Sequence, residues 1–289
     1  MELAKTLQNS FSGAPFTMPI SKRASVRVYW DSRPNYLEIA PLQKGLVLML
    51  NDEELIDEGA GLGVPVVKYT NKTYFSSSAD SSVEQEDNRC TIVKTFSLDT
   101  IARKRIGKSS FINDGTYRFF RKLFEKEYLR RKNLSFFFNK LMVFRQTVGI
   151  HTEFIKVKTK GKITIKYTVD ESTIRIHVDL TDLEKAGCQE ILVLNEQGAT
   201  FFRKYTDTEG LKLFGETIGA WDKVIAHEAS LSDAQETLKF TLLKQKTSSL
   251  FRGWEKTKGR FAWTGLSYSL TPNHSEFNYV IKIDERKTV

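Results

Sequence analysis

Hydrophobic residues recur at every second position over most of this chain. In 154–180 (FIKVKTKGKITIKYTVDESTIRIHVDL), Ile163, Ile165, Tyr167 and Val169 alternate with Lys162, Thr164, Lys166 and Thr168. After Asp170-Glu171-Ser172, Ile174, Ile176, Val178 and Leu180 alternate with Arg175, His177 and Asp179. Such alternation marks strands with one buried face. It predicts a hairpin with Ile165, Tyr167 and Ile176 in the core and Lys166, Arg175 and His177 on the polar side. EILVLN (190–195), TLKFTLLK (237–244), TGLSYSL (264–270) and FNYVIKID (277–284) extend this to one antiparallel sheet system over 154–284. Nearer the N-terminus, ASVRVYW (24–30), YLEIAPL (36–42), GLVLML (45–50), VPVVKY (64–69), KTYFSS (72–77) and CTIVKTFSL (90–98) read as strands. SSSADSSVEQEDN (76–88) reads as a polar loop.

The period changes in 114–147. Phe120, Leu123, Phe124 and Tyr128, then Leu134, Phe137, Phe138, Leu141 and Met142, recur at three and four, with Asp114 as an N-cap. One long helix, or two separated near Asn133-Leu134-Ser135, fits this spacing. The expected fold is therefore mainly β: a large antiparallel β-sandwich with a basic amphipathic helical insertion. Its parts are an N-terminal segment (1–23), a β region (24–111), the insertion (112–149) and a second β region (150–289), in one compact domain. Phe136, Phe137 and Phe138 are consecutive and cannot share one helix face. They are expected at a contact in a homo-oligomer or in a lid over a cleft.

Between 57 and 69 the chain reads DEGAGLGVPVVKY, with glycines at 59, 61 and 63. A phosphate-cradling loop needs a helix after the glycines, so that its N-terminal amides face the anion. Here Val64-Pro65-Val66-Val67 favours extended chain. No GK[ST] follows, and Asp57 and Glu58 would repel a phosphate. The stretch is expected to form an irregular crossing between strands over 57–65, with at least one glycine at positive φ. Asp57 or Glu58 is expected to reach the mouth of a cleft.

The net charge of +9 is concentrated in one place. Residues 102–145 hold 13 Lys and Arg against three acids, a balance of +10, and the rest of the chain sums to −1. With aromatics from Tyr117 to Phe144, this segment suits an anionic surface. Nucleic acid or membrane would meet Arg118, Arg121, Lys122, Arg130, Arg131 and Lys132. The bland alternative is a helix that caps the sandwich with its aromatic side and leaves its basic side wet. No apolar run is long enough to span a membrane, and the first residues lack the basic start and apolar core of a secretory signal, so a cytoplasmic location is expected. Cys90 and Cys188 are distant in sequence and read as free thiols. The four histidines have no metal-ligand spacing, and neither a metal nor a cofactor is expected.

Two β-rich regions spanning about residues 20–285, with polar strand faces and several tryptophans, resemble the galactose mutarotase-like supersandwich. That superfamily includes aldose epimerases and sandwich domains of glycoside hydrolases and polysaccharide lyases. The resemblance, one of length and strand pattern, implies a sugar site on a polar concave sheet face, and a hydrolase, lyase or epimerase if the chain is an enzyme.

Candidate acid and base groups are Glu58, Glu196, Asp222 and His227. Glu196 lies in ILVLNEQGATFFRKY (191–205), which also reads as a hairpin turn at Gly198. Asp222 and His227 lie with Trp221 in GAWDKVIAHEAS (219–230). Candidate sugar-binding residues are Lys166, Arg175 and His177 on the hairpin's polar face, and Arg252, Trp254 and Trp263 in 250–270. Indole faces pack on sugar C–H groups and guanidinium bridges hydroxyls or carboxylates. The same residues also suit a solvated sheet face and a tryptophan core. The functional expectation is a carbohydrate-active protein, with a non-catalytic module for an anionic partner, bound through 102–145, as the alternative.

Overall fold

The computed structural model describes residues 6–7, 15–30, 33–34, 41–55, 59–70, 72–86, 89–106, 150–256 and 262–286. Two antiparallel sheets face one another. The larger runs in the order Thr6–Leu7, Ser78–Glu86, Arg89–Ser97, Lys162–Asp170, Thr173–Asp179, Glu276–Glu285, Leu238–Leu243, Glu228–Ser232, Lys204–Asp207, Lys212–Phe214. The smaller runs Ile150–Lys156, Thr100–Ile106, Lys72–Phe75, Gly61–Tyr69, Cys188–Gly198, Ala262–Leu270, Ser249–Lys256, Asp222–Lys223. A third sheet, of Phe16–Pro19, Ala24–Val28, Val47–Leu50 and Glu53–Glu54, joins the same apolar core through Val26 and Leu48. Tyr268 of the smaller sheet packs edge-on against Phe277 and Tyr279 of the larger, with centroids 5.0 and 4.8 Å apart.

The 162–180 hairpin forms as its alternation dictates. Ile165, Tyr167 and Ile176 are buried, Lys166 and Arg175 are exposed, and His177 is half-exposed. Glu171 and Ser172 make the turn between paired Asp170 and Thr173. Both cysteines are free.

Other expectations need correction. The strands of 154–284 do not form one sheet system. Cys188–Gly198, Ser249–Lys256 and Ala262–Leu270 belong to the smaller sheet, and the 162–180 hairpin to the larger. Alternation reports which face of a strand is buried, and both sheets bury their inner faces alike. Ser78–Glu86 is a strand rather than a polar loop, paired along its length with Arg89–Ser97. Backbone pairing is indifferent to its serines and acids, and its inward Val83 is buried. The strand from Cys188 runs through Asn195, Glu196 and Gln197 to Gly198, where a turn was the alternative. Of the basic stretch 102–145, residues 102–106 lie in a strand and not in a helix. The helix expected over 114–147, the surface cations from Arg118 to Lys132 and Phe136–Phe138 lie outside the described residues. Among the described residues the helical element is one 3₁₀ turn, Gly215–Ile218.

The glycine stretch is a strand, beginning at Gly61 rather than after 65. Gly61 and Gly63 carry φ of +88° and +70°, and Gly45 N and Leu46 bond the backbone at 60–62. Gly63 is held from both ends: its N–H donates to Asn195 Oδ1 at 3.0 Å, and its C=O accepts from Tyr167 Oη at 2.7 Å. A Cβ at Gly63 would lie 2.6 Å from the Tyr167 ring. Beneath the third sheet, the Lys94 ammonium is fully buried and donates to Tyr29 O, Gln43 Oε1 and Lys44 O at 3.1, 3.2 and 2.7 Å. Burial pushes this amine down to about 7, while the three oxygens favour its charged form.

Two substitutions test these anchors by urea denaturation. Gly63→Ala combines a positive φ with a ring clash and is expected to cost about 2–4 kcal/mol. Lys94→Met strips the donor from three buried oxygens and is expected to cost about 1–3 kcal/mol, reduced by the relief of a buried charge.

Candidate functional site

The strand Cys188–Gly198 changes character along its length. Ile191 and Val193 enter the inter-sheet core, and Asn195, two residues on, does so as a polar group. It accepts from Gly63 N and from Tyr279 Oη, the latter at 2.9 Å. A register shift against Gly61–Tyr69 falls between Leu194 and Asn195. The extra residue is Gly63 on the other strand, and Cys188–Gly198 keeps its register against Ala262–Leu270, so its alternation is undisturbed. Glu196 then points to the opposite side, the outer face of the smaller sheet.

Glu196 stands in a row of glycines. It pairs with Gly61 on one side and Gly265 on the other, and Gly265 pairs with Gly253. The row makes a bare strip, and each bare position is used. The Leu46 carbonyl lies 2.9 Å from where a Gly61 Cβ would be, Glu196 Cγ lies 3.1 Å from that of Gly265, and the Trp221 ring covers Gly253 at 2.5–2.8 Å. Trp221 has φ of +65°, a left-handed conformation that costs a non-glycine residue about 1 kcal/mol or more. Its Nε1–H donates to the Glu255 carboxylate. Trp221, Glu255 and Glu196 therefore share one face.

Glu196 is 4% exposed. Its Oε2 accepts from Ala60 N at 3.0 Å. Burial pushes its carboxyl up to about 8, and the nearby Glu255 charge adds to the rise; the Ala60 amide and the Lys44 cation oppose it. Glu196 thus holds its proton more tightly than an exposed carboxyl does. A cavity of about 40 Å³ beside it is lined by Gln43, Lys44, Ala60, Ser76, Leu194 and Glu196, among others. That volume is about what one water requires. Two carboxyls in unlike surroundings, one buried with its proton tightly held, the other half-exposed and accepting an indole N–H, supply a proton donor and an acceptor on one surface.

Of the residues singled out in the sequence, only Glu196 belongs to this cluster's chemistry. Glu58 lies outside the described residues. Asp222 is exposed and faces Arg252 Nη2 at 3.7 Å. His227 is exposed, and its carbonyl accepts from Lys244 N. Arg252 lies over the Tyr205 ring, 5.2 Å from its centroid. Trp254 packs against the core and Trp263 is 3% exposed, so neither offers a free indole face. Lys166, Arg175 and His177 line a depression on the larger sheet, whose outer face is remote in topology from Glu196. Glu255 was not anticipated. Alternation from Gly253 to Glu255 places both on one strand face, but nothing in the chain signals the contact with Trp221. Among the described residues, no group of three or more His, Cys, Asp or Glu is placed to hold a metal ion.

No protein-family model matches the sequence, and no curated protein matches it. Solved structures align along most of its length. A galactose mutarotase-like protein from Lactobacillus casei ATCC 334 shares 9% identity at a TM-score of 0.38, over 94% of this chain and all of the other. A protein from Synechocystis sp. PCC 6803 shares 9% at 0.38, over 96% and 99%. A beta-arabinopyranosidase shares 8% at 0.34, over 91% of this chain and 39% of its own length. No site residue is carried over from them.

The Glu196 carboxyl has a thermodynamic signature. The folded state holds its proton up to about pH 8, whereas the unfolded chain releases it near 4.5. Between those values the unfolded state binds fewer protons, so stability falls as pH rises. Glu196→Gln removes this loss. Its stability relative to wild type should improve by about 1.4 kcal/mol per pH unit across that window, then level off. Denaturation at a series of pH values checks this, and parallel pH curves would refute the buried proton.

Proposed function

We propose that the chain is a carbohydrate-active protein that engages a sugar on the glycine strip of the smaller sheet, with Glu196 as the proton donor of a glycan-processing step. The observation that carries this reading is a buried carboxyl on the same sheet face as a second carboxylate, Glu255, and a left-handed Trp221 bonded to it, with burial raising the first carboxyl's affinity for its proton. A sugar presents C–H groups on one side and hydroxyls around its edge. Trp221 offers an apolar ring for the first, and Glu255 a hydroxyl acceptor for the second. Glu196 donates its proton to a glycosidic or ring oxygen as the bond to the anomeric carbon breaks. Lys44 offsets the negative charge left on Glu196. The cover over Glu196 is the Gly59–Ala60 backbone, so substrate must approach from the Trp221 side or displace that segment.

The test is an assay of reducing-sugar release and anomer interconversion over neutral, acidic and amino sugars. Activity should persist below pH 8 and decline above it, as Glu196 loses the proton it must give. Glu196→Gln should lower kcat by about 10²–10⁴-fold. Trp221→Ala should chiefly raise KM. Absence of both turnover and binding across the three sugar classes rejects the proposal, as does a Gln variant of unchanged rate.

A further inference from the structure

The outer face of the larger sheet carries a second cluster that the Glu196 site does not use. Lys166, His177 and Asn278 form one row across three strands, and Thr168, Arg175 and Val280 form the next. With Gln245 and Leu243, these residues line a depression of about 640 Å³. Among the described residues the lining holds cations, neutral hydrogen-bonding groups and apolar side chains, and no acid.

A merely solvated sheet face sets opposite charges across from one another, because like charges in direct opposition destabilise the pair. This face does otherwise. The cross-strand neighbours of Lys166 are Val93 and His177, and those of Arg175 are Thr168 and Val280. The acids stand at the margins, Asp179 and Glu276 facing each other in the row beyond His177 and Asn278. Asp170 is shared between Arg175 and Arg89, one carboxylate against two guanidiniums. Asp179 Oδ1 accepts from Thr181 N and Oγ1, at 2.9 and 2.7 Å, within its own turn. The Lys166 ammonium has no partner among the described residues. His177 Nδ1 is held by Asn278 Oδ1 at 2.8 Å, which leaves Nε2 uncommitted.

We propose that this depression binds an acidic saccharide, the carboxylate of a uronic acid unit lying between Lys166, Arg175 and His177. Strands are about 4.8 Å apart, so each three-strand row spans about 10 Å, room for more than a lone anion. The cations take the acid group, Arg175 being able to offer a planar pair of N–H donors. Thr168, Asn278 and Gln245 are neutral donors and acceptors suited to ring hydroxyls. Val280 and Leu243 give the ring's C–H side an apolar floor. This surface is independent of the Glu196 site and does not require that site to be catalytic.

Calorimetric titration of the full chain tests the assignment. The probe is an oligogalacturonate, with a maltooligosaccharide of equal length, inorganic sulfate and a single-stranded oligonucleotide as comparisons. The uronate should bind, more weakly as salt is raised, and more tightly than the neutral chain, whose affinity should not respond to substitution at Lys166 and Arg175. Lys166→Gln/Arg175→Gln should weaken binding at least tenfold with an unchanged circular dichroism spectrum, both side chains being exposed. Glu196→Gln should leave this affinity as it was, which separates the two sites. The proposal is overturned if the uronate does not bind or if the double substitution leaves its affinity unchanged. It is overturned equally if the maltooligosaccharide, sulfate or the oligonucleotide binds as tightly.

Discussion

Asn195 accepts two buried hydrogen bonds, and the arrangement of the smaller sheet depends on them. One comes from Gly63 on the adjacent strand of its own sheet, the other from Tyr279 on the opposite sheet. Both donors are removed from water, where each bond is stronger and its loss costs the desolvation of both partners. The bond to Gly63 N–H fixes the peptide between Leu62 and Gly63, and Tyr167 secures the carbonyl of the peptide that follows. The bond to Tyr279 ties this irregular strand to the regular ladder of the larger sheet. With Asn195 committed inward, strand alternation forces Glu196 outward. The acid is therefore aimed by a core contact and then held by the Ala60 N–H of the segment entering the adjacent strand.

Lys94 does the corresponding work on the far wall. Its three acceptors come from Tyr29, Gln43 and Lys44, so one ammonium holds the end of the third sheet and the stretch entering the strand at Val47. Gln43 and Lys44 in turn line the cavity beside Glu196. A buried amine facing carbonyl and amide oxygens and the Phe96 ring, with no carboxylate, is costly to charge, and here it gives a polar wall a single position. The surroundings of Glu196 are thus set from two sides by groups that are themselves buried and bonded.

The 162–180 hairpin was legible in the sequence because its alternation is strict and its turn is short. The sheet to which each later strand belongs was not, since two facing sheets bury identical aliphatic stripes. Ser78–Glu86 was hidden because its partner supplies the hydrogen bonds while its side chains stay polar. Positive φ was expected at one or more of glycines 59, 61 and 63, and it occurs at 61 and 63. Their purpose was illegible, since it lies in Leu46 and Tyr167, distant in sequence. Glu196 could be named as an acid of interest, yet the turn-like NEQG masked the fact that it sits inside a strand. Trp254 and Trp263 looked like platforms because tryptophan composition does not say which face an indole occupies. Trp221 owes its position to a left-handed backbone that no residue pattern reveals.

The Lys44 cation nearby favours an ionised carboxyl, yet among the described residues no hydrogen bond calls for one at residue 196. Its hydrogen-bonding partner is a backbone N–H, which a Gln Oε1 would satisfy equally well. Gln would also avoid the repulsion from Glu255 and the loss of stability as pH rises. What Glu alone supplies is an acidic proton, held more tightly through burial, beside a cation and a second carboxylate. The cost at Glu196 and the backbone strain at Trp221 fall on one face, and it is this coincidence of unfavourable terms on which the proposed Glu196–Trp221–Glu255 site rests.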